Sequence, residues 1–325
     1  MNQTQNRNKS PLIILTGPTA VGKTHLSVEL AKRVSGEIIS ADSMQVYRGM
    51  DIGSAKVTSE EMQGIPHHLI DEFEPWEEFH VVKFQQYALR YIKEIQSRGR
   101  IPILVGGTGF YIQAVLYGID FTEHGLDTAY RKSLEMLAKE QNPQVLHDML
   151  REVDPESAER IHANNVKRVI RALEFYHETG TKISAHNEKE RAKQSPYNFA
   201  YFVLNEPRTS LYEKIDLRVE QMMDAGLLDE VKRLQDAGCA RDMVSMQGLG
   251  YKELLDYLAG DDSLEEAIRI LKRDTRHFAK RQLTWFRRER DVIWLDKDRF
   301  GYDEEKLLNY MMDCLKDRKL LTIGS

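Results

Sequence analysis

The feature that most constrains the fold is a short apolar run, Leu12–Leu15, that leads directly into the pattern Gly17-x-x-x-x-Gly22-Lys23-Thr24. This pattern is typical of a P-loop, in which glycines allow successive backbone N–H groups to turn toward phosphate oxygens at a helix N-terminus. The Lys23 ammonium adds a positive charge, and the Thr24 hydroxyl is a candidate Mg²⁺ ligand. Eight residues are therefore predicted to bind a phosphate chain: Gly17, Pro18, Thr19, Ala20, Val21, Gly22, Lys23 and Thr24.

The composition is that of an ordinary globular protein, and it excludes several other classes. The 325 residues, 41% of them hydrophobic, can form a large core and more than one structural unit. The two cysteines, Cys239 and Cys314, lie far apart without metal-ligand spacing, which argues against a zinc module or a disulfide framework. The polar N-terminus and the lack of a long apolar stretch predict a cytoplasmic protein with no membrane partner, and we expect a monomer.

Positive charge is concentrated in two segments, although the net charge of the chain is -5. Residues 160–193 contain eight Lys or Arg against four Glu, and residues 269–290 contain nine Lys or Arg against two acidic residues. Within the second segment, a stripe at helical spacing is formed by Arg269, Arg273, Arg276 and Lys280. Two basic segments on an acidic chain predict contact with a polyanion, with a solvated charged face as the alternative.

The order of apolar runs and helical patterns predicts an α/β fold in which helices cover a P-loop NTPase-like parallel sheet. Between about residues 117 and 197 the strand pattern disappears, and Asn or Asp before a first-turn Pro or an apolar run indicates helix starts at Asp127, Asn142, Asp154 and Asn165. The chain is therefore predicted to contain a P-loop core at 1–118, an all-helical insertion at 119–197, and at 198–325 a completion of the core with basic helices.

Two further segments follow predicted strands, where parallel sheets place their ligands. Ser40–Tyr47 contains Asp42 at a strand exit, and Gly106–Gly109 follows the run Ile101–Val105. The second segment lacks the acidic Mg²⁺ ligand that ends a neighbouring strand in typical P-loop NTPases. Its glycines indicate either close approach of a bulky ligand or a tight turn, and Asp42 is either a functional carboxylate, a metal ligand through water or a helix cap.

The residues alone indicate no more than a Mg²⁺-assisted transfer that involves a di- or triphosphate. They also fit a polyanion as the partner. The Asn-Lys-x-Asp run of GTPases is absent, but a basic lid of the kind that small-molecule kinases use is compatible with the helical segment. Adjacent His67 and His68 would point to opposite sides of a strand, so we expect structural hydrogen bonds there rather than a metal site.

Seven blocks of sequence, in this order, resemble bacterial tRNA dimethylallyltransferases of the tRNA isopentenyl- and prenyltransferase family. Each block is weak evidence alone, but the series is specific and covers most of the chain. The blocks are Gly17–Thr24, Ser40–Tyr47, Pro66–Asp71, Gly106–Gly109, Asn165–Glu174, Gly248–Tyr251 and Arg281–Arg287.

The resemblance implies transfer of a dimethylallyl group from its diphosphate to N6 of the adenine 3′ of the anticodon. It assigns Asp42 as the general base, Thr108 as a hydrogen-bonding partner of the adenine and Arg218 as a pyrophosphate contact. An allylic diphosphate ionises toward a carbocation, so the P-loop amides, Lys23 and Mg²⁺ would stabilise the leaving diphosphate. The glycines beside Thr108 would leave room for the base, which must leave the anticodon stack.

The resemblance also implies a binding surface for the tRNA anticodon stem-loop. Cationic side chains of the insertion and of the stripe in residues 269–280 would contact the RNA loop and backbone, which gives both basic segments a partner. The predicted tRNA-binding residues are Asp42, Ser43, Met44, Gln45, Thr108, Arg131, Val166, Lys167, Arg168, Val169, Ile170 and Arg171.

Two other functions remain open at this level. A P-loop kinase of a small metabolite or nucleoside would transfer the γ-phosphate of ATP and form no RNA product. A non-enzymatic P-loop protein would bind tRNA through the basic segments without forming any product.

Overall fold

The computed structural model describes residues 9–121 and 128–321, with the side chain of Thr128 excepted. The chain divides into two compact units, one formed by Met1–Leu116 with Pro196–Ser325 and the other by Tyr117–Ser195. Both divisions lie within two residues of the boundaries predicted from the sequence. The helix start predicted at Asp127 falls outside the described residues.

The first unit contains a parallel sheet of six strands, which confirms the predicted fold class. The strand order is β3-β2-β4-β1-β5-β6, so β1, which leads into the P-loop, lies at the centre between β4 and β5. Leu12, Ile13, Ile14 and Leu15 of β1 are fully buried, as expected for a strand covered on both faces. The strands are β1 Pro11–Thr16, β2 Gly36–Ser40, β3 His67–His68, β4 Ile101–Gly106, β5 Asn198–Asn205 and β6 Val292–Asp296.

Four helices precede the insertion. They are α1 Lys23–Val34, α2 Ser59–Met62, α3 Val81–Ser97 and α4 Gly109–Leu116. In α3 the buried residues Phe84, Ala88, Ile92 and Ile95 recur at helical spacing and form one apolar face.

All regular structure in the described part of the second unit is helical. The helices are α5 Thr128–Glu140, α6 Pro143–Val153, α7 Pro155–Arg160, α8 Val166–Thr179 and α9 Ile183–Ala192. The predicted starts at Asn142 and Asp154 are confirmed, because the Asn142 side chain accepts a hydrogen bond from Gln144 N and that of Asp154 from Ser157 N. Leucines of α6 and α8 meet in a core of their own.

The first unit is completed by helices that follow the insertion: α10 Arg208–Asp224, α11 Leu227–Asp236, α12 Tyr251–Ala259, α13 Leu264–Phe286 and α14 Glu304–Asp317. Helices α10 and α11 are separate because Gly226 between them adopts a left-handed conformation with φ 96°. Short 3₁₀ turns at Ser245–Gln247 and Lys297–Phe300 follow α11 and β6.

Candidate active site

The sheet register brings the three predicted ligand-binding segments together at the carboxyl ends of the strands. Thr16 of β1 pairs with Gly106 of β4, and Ser40 of β2 pairs with Val105 of β4. The N–H of Ala41 donates to Val105 O at 2.7 Å, and the N–H of Thr108 donates to Ala41 O at 3.2 Å. The P-loop, the turn with Asp42 and the turn with Thr108 therefore lie side by side.

The P-loop has the conformation that a phosphate chain requires. Ala20 and Gly22 have φ of 65° and 96°, which lie in the left-handed region. Left-handed residues that alternate with others direct successive backbone N–H groups to one side of the loop. The N–H groups of residues 20–24 donate to no acceptor within residues 9–121 and 128–321. Gly17 is required for a different reason, because a Cβ there would lie 2.4 Å from Leu204 O of β5.

Two cations lie close to each other at this loop. Lys23 Nζ donates to Gly17 O at 3.1 Å and to Pro18 O at 2.8 Å. The pKa of Lys23 is lowered from 10.5 to about 8, first by burial and then by the positive charge of Arg218, while the Asp42 carboxylate acts in the opposite direction. Burial also lowers the pKa of Arg218. Two neighbouring cations beside N–H groups that have no acceptor among the described residues are an arrangement that can bind an anion.

Asp42 lies next to this anion site and uses one oxygen for structure. Its Oδ1 accepts hydrogen bonds from the N–H of Met44 at 2.8 Å and of Gln45 at 3.4 Å. Its Oδ2 accepts none from the described residues. Burial raises the pKa of Asp42 above 3.8, although the two backbone N–H groups and the charge of Lys23 oppose this shift. The carboxylate therefore closes a local turn, not a helix as the capping alternative expected, and it keeps one oxygen that accepts no hydrogen bond from the described residues.

Protein atoms, and not a ligand, explain the glycines beside Thr108. A Cβ at Gly106 would lie 2.2 Å from Ala41 O, one at Gly107 2.1 Å from Gln282 Nε2, and one at Gly109 2.3 Å from the Trp285 ring. Protein atoms occupy the space beside these glycines, so the expectation that they leave room for an adenine is wrong. None of the three glycines has the left-handed φ that would make glycine necessary for a tight turn, so that alternative does not explain them either. Thr108 itself is half-buried and precedes the first turn of α4.

The residues after Asp42 hold the loop in place. Gln45 Nε2 donates to Ala55 O at 3.1 Å, and Gln45 Oε1 accepts from Ser40 Oγ at 3.2 Å. The Met44 side chain packs so closely on Gly248 that a Cβ there would lie 2.6 Å from Met44 Cε. Ser43 is half-buried and makes no side-chain hydrogen bond among the described residues. Any tRNA contact by Met44 or Gln45 has to coexist with these packing roles.

Two residues that contact the P-loop were not predicted from the sequence. Gln282 of α13 accepts a hydrogen bond from Thr19 N at 2.9 Å and donates one to Gly107 O at 3.0 Å. Lys297 donates to Val21 O at 3.2 Å, and burial lowers its pKa. Lys297 follows β6, so the strand-exit rule could have identified it. No local pattern indicates Gln282, because its partners lie 263 and 175 residues away in the sequence.

In the helical unit, the predicted tRNA-binding residues of α8 separate into two groups. Lys167, Arg168 and Arg171 are exposed, and Val166 is half-buried. Val169 and Ile170 are 0% and 2% exposed and belong to the unit's apolar core. The prediction that the side chains of Val169 and Ile170 contact tRNA is therefore wrong, because they pack on neighbouring helices.

Arg131 of α5 is also engaged within the helical unit. Its guanidinium lies 3.2 Å from Glu135 Oε1 and 3.2 Å from Glu174 Oε2. The Glu174 side chain is almost fully buried, and burial raises its pKa while the charge of Arg131 opposes that shift. Arg131 therefore neutralises a buried carboxylate, whatever contact it makes with RNA.

The stripe predicted on α13 is largely neutralised by neighbouring acids. Arg269 pairs with Glu266, Arg273 with Asp274 and Arg276 with Asp216. Lys280 alone among the four has no acidic partner in the described part of the chain. The alternative interpretation of a charged, solvated face fits the first three residues.

His67 and His68 have structural partners, as expected. His67 Nδ1 lies 2.8 Å from Ile65 O, and His68 Nε2 lies 2.8 Å from Glu37 Oε2. Glu37 is buried, and hydrogen bonds from Arg98 and His68 lower its pKa although burial alone would raise it. Across residues 9–121 and 128–321, no group of three or more His, Cys, Asp or Glu could hold a metal ion. No described helix has the length and apolar character to cross a bilayer.

Comparison with known proteins agrees with this arrangement. The family model of IPP transferase matches residues 45–289. A tRNA dimethylallyltransferase of Lachnoclostridium phytofermentans is 61% identical over 96% of this chain and 99% of its own, and one of Acetivibrio thermocellus is 51% identical over 92% and 95%.

Solved structures show the same relationship. A tRNA isopentenylpyrophosphate transferase of Bacillus halodurans is 48% identical with a TM-score of 0.72, covering 96% of this chain and 98% of its own. A eukaryotic dimethylallyltransferase, described as acting on tRNA, is 32% identical with a TM-score of 0.76, covering 88% and 74%. On the family match and the identity over nearly its whole length, the chain belongs to the IPP transferase family, whose members include enzymes named tRNA dimethylallyltransferases.

Proposed function

We propose that the chain transfers a dimethylallyl group from dimethylallyl diphosphate to N6 of the adenine that follows the anticodon of tRNA on its 3′ side. The observation that carries this proposal is the position of Lys23, whose charge interacts with both Arg218 and Asp42. A candidate anion site and a candidate carboxylate base therefore lie next to each other. This combination suits a reaction in which a diphosphate leaves while a proton is removed from a weak nucleophile.

The donor would lie with its diphosphate on the P-loop. Unused N–H groups of residues 20–24, the Lys23 ammonium and the Arg218 guanidinium would stabilise the charge that develops as the allylic C–O bond breaks. The leaving group departs as diphosphate. No triphosphate is needed for this step.

A Mg²⁺ ion would complete the donor site. The Thr24 hydroxyl donates no hydrogen bond to the described residues, so it is free to serve as a ligand. Such an ion would be held mainly by diphosphate oxygens and water, which is the usual coordination of Mg²⁺. Bound there, the ion would supply further neutralisation of the leaving diphosphate.

The adenine would enter from the side of Asp42 and Thr108. Its N6 lone pair attacks the allylic carbon, the N6–C bond forms, and the N6 proton passes to Asp42 Oδ2, the oxygen that no backbone group uses. A raised pKa makes Asp42 a stronger proton acceptor than an exposed aspartate. The Thr108 hydroxyl would orient the base by hydrogen bonding.

The tRNA itself would be held in part by exposed cations of the helical unit. Lys167 and Arg168 form no ion pair within the described residues, so they can neutralise phosphates of the anticodon stem-loop. Binding through the loop and backbone is the usual mode for a protein that must expose one base.

Mass spectrometry of nucleosides tests the proposal directly. Undermodified tRNA is incubated with the purified protein, Mg²⁺ and dimethylallyl diphosphate, and N6-dimethylallyladenosine is expected after digestion. Omission of the donor and an Asp313→Asn variant, which changes an exposed acid of α14, serve as controls. Transfer of γ-phosphate from ATP without an RNA product would support a kinase instead. Tight tRNA binding with neither product would support a protein that only binds RNA.

A further inference from the structure

One buried side chain links the two halves of the candidate active site. Gln282 of α13 is 6% exposed. Its Oε1 accepts the Thr19 N–H of the P-loop, and its Nε2 donates to Gly107 O in the turn that carries Thr108. Only one orientation of the amide satisfies both partners, because Thr19 offers a donor and Gly107 an acceptor.

We propose that Gln282 is a positioning residue that sets the P-loop and the Thr108 turn at a fixed separation. The P-loop would hold the diphosphate and Thr108 the adenine, so the Gln282 amide would align the two reactants without touching either. The part of the inference that concerns transfer rests on the proposed function. The part that concerns phosphate binding by the P-loop does not rest on the proposed function.

The P-loop conformation shows why a hydrogen bond at Thr19 matters. The next residue, Ala20, has φ of 65°, a left-handed conformation that costs a residue with a Cβ about 1 kcal/mol. A bond that fixes the Thr19 peptide offsets part of this cost before any phosphate binds. The Thr19 N–H is already used in this bond, so the first backbone N–H group that can bind a phosphate oxygen is that of Ala20.

The other partner shows that the arrangement is specific to Gln282. A Cβ at Gly107 would lie 2.1 Å from Gln282 Nε2, so a side chain at residue 107 would displace this amide from its position. A shorter amide could not reach both loops, and an apolar side chain of equal length would leave a buried N–H and a buried carbonyl without partners. Correct alignment of two reactants can lower the free-energy barrier of a transfer reaction by a large part of its height.

The test compares three variants in two assays. Gln282→Met keeps the side-chain length and removes both hydrogen bonds, and Gln282→Asn keeps the amide but shortens it. Thr284→Ala is the matched control, since Thr284 is exposed on the same helix and its hydroxyl bonds, among the described residues, only to Lys280 O. The first assay is calorimetric binding of pyrophosphate with Mg²⁺ in the absence of tRNA. The second is steady-state transfer with both substrates varied.

In both Gln282 variants we expect pyrophosphate affinity and kcat each to fall about tenfold, with KM for tRNA unchanged. Thr284→Ala should match the parent in every parameter. The inference is overturned if Gln282→Met and Gln282→Asn bind pyrophosphate and turn over like the parent, or if both KM values rise together, which indicates general disorder. Should either variant fail to fold, the other decides. Parent protein that binds pyrophosphate but forms no prenylated tRNA would refute the proposed function and leave the pyrophosphate test intact.

Discussion

Two aspartates in the two units make similar local bonds but have opposite electrostatic environments. Asp42 accepts two backbone N–H groups, both at Oδ1, and burial raises its pKa. Asp154 caps α7 and accepts four hydrogen bonds, from the N–H and Oγ of both Ser157 and Ser184. Burial acts to raise the pKa of Asp154, but those bonds lower it below 3.8.

The difference shows what distinguishes a structural carboxylate from a reactive one. Asp154 is fully buried, yet both of its oxygens are used, so its ionised form is stabilised and has nothing left to offer a ligand. Asp42 keeps one oxygen unused beside the cations of the P-loop, and its ionised form is less stable than in water. Sites that bind or react commonly carry such a cost in folding stability.

The largest expected effect is on catalysis at Asp42. Asp42→Asn keeps the size of the side chain and removes the base, so single-turnover transfer of labelled dimethylallyl groups should fall about 10²- to 10⁴-fold. Its free energy of unfolding at pH 7 should be equal to or higher than that of the parent, because a poorly solvated charge is removed. Asp313→Asn, an exposed acid in the same unit, should change neither quantity. Near-normal transfer by Asp42→Asn with unchanged substrate binding would show that another group removes the proton.

The same substitution in the helical unit should have the reverse outcome. Asp154→Asn places an NH₂ group against N–H and O–H donors, so urea unfolding should show a loss of about 2 kcal/mol. The rate of transfer per folded molecule should be close to that of the parent. Asp148→Asn is the control, since Asp148 is an exposed acid of the same unit and should lose less than about 0.5 kcal/mol. Equal stability of Asp154→Asn and Asp148→Asn would contradict the structural role of Asp154.

Acid pH should separate the two carboxylates without mutation. The folded pKa of Asp154 lies below 3.8, so its contribution to stability is complete above 3.8 and is lost as pH falls through the lower folded value. The folded pKa of Asp42 lies above 3.8, so the base becomes protonated first. Transfer at saturating substrates should therefore fall about tenfold per pH unit on the acid limb, at a pH where circular dichroism still shows folded protein. Loss of activity and of folded structure at the same pH would show that protonation of Asp42 does not cause the acid limb.

Much of the fold and part of the site could be predicted because they depend on local pattern. The P-loop glycines, the apolar runs of β1 and β4, and the caps of α6 and α7 are readable within about ten residues of sequence. The two-residue strand β3 is too short to give such a pattern. The role of Gly107 was misread because its neighbour Gln282 comes from a distant helix, and the sequence shows a missing side chain but not what occupies its space.

The errors on α8 had a different cause, since the necessary pattern was present. Val166, Val169, Ile170 and Leu173 recur at three- and four-residue spacing, which predicts a buried face. Family resemblance was applied to the contiguous segment, whereas a helix divides such a segment into a packed face and an exposed face. The exposed cations Lys167, Arg168 and Arg171 remain predicted contacts of tRNA.

The smallest expected effect distinguishes free from paired cations in the helical unit. Replacing Lys167 and Arg168 with Ala should weaken tRNA binding and flatten the slope of log K against log salt by about 1.5, because two phosphate contacts are lost. Arg131→Gln should leave the slope unchanged and cost about 1 kcal/mol of stability, since the Arg131 guanidinium already neutralises Glu174. Filter binding between low and moderate salt measures the slope, and pyrophosphate affinity, which should not change, is the control. A salt slope that the double variant leaves unchanged would show that Lys167 and Arg168 do not contact phosphates. A salt slope flattened by Arg131→Gln would show that Arg131 does contact them.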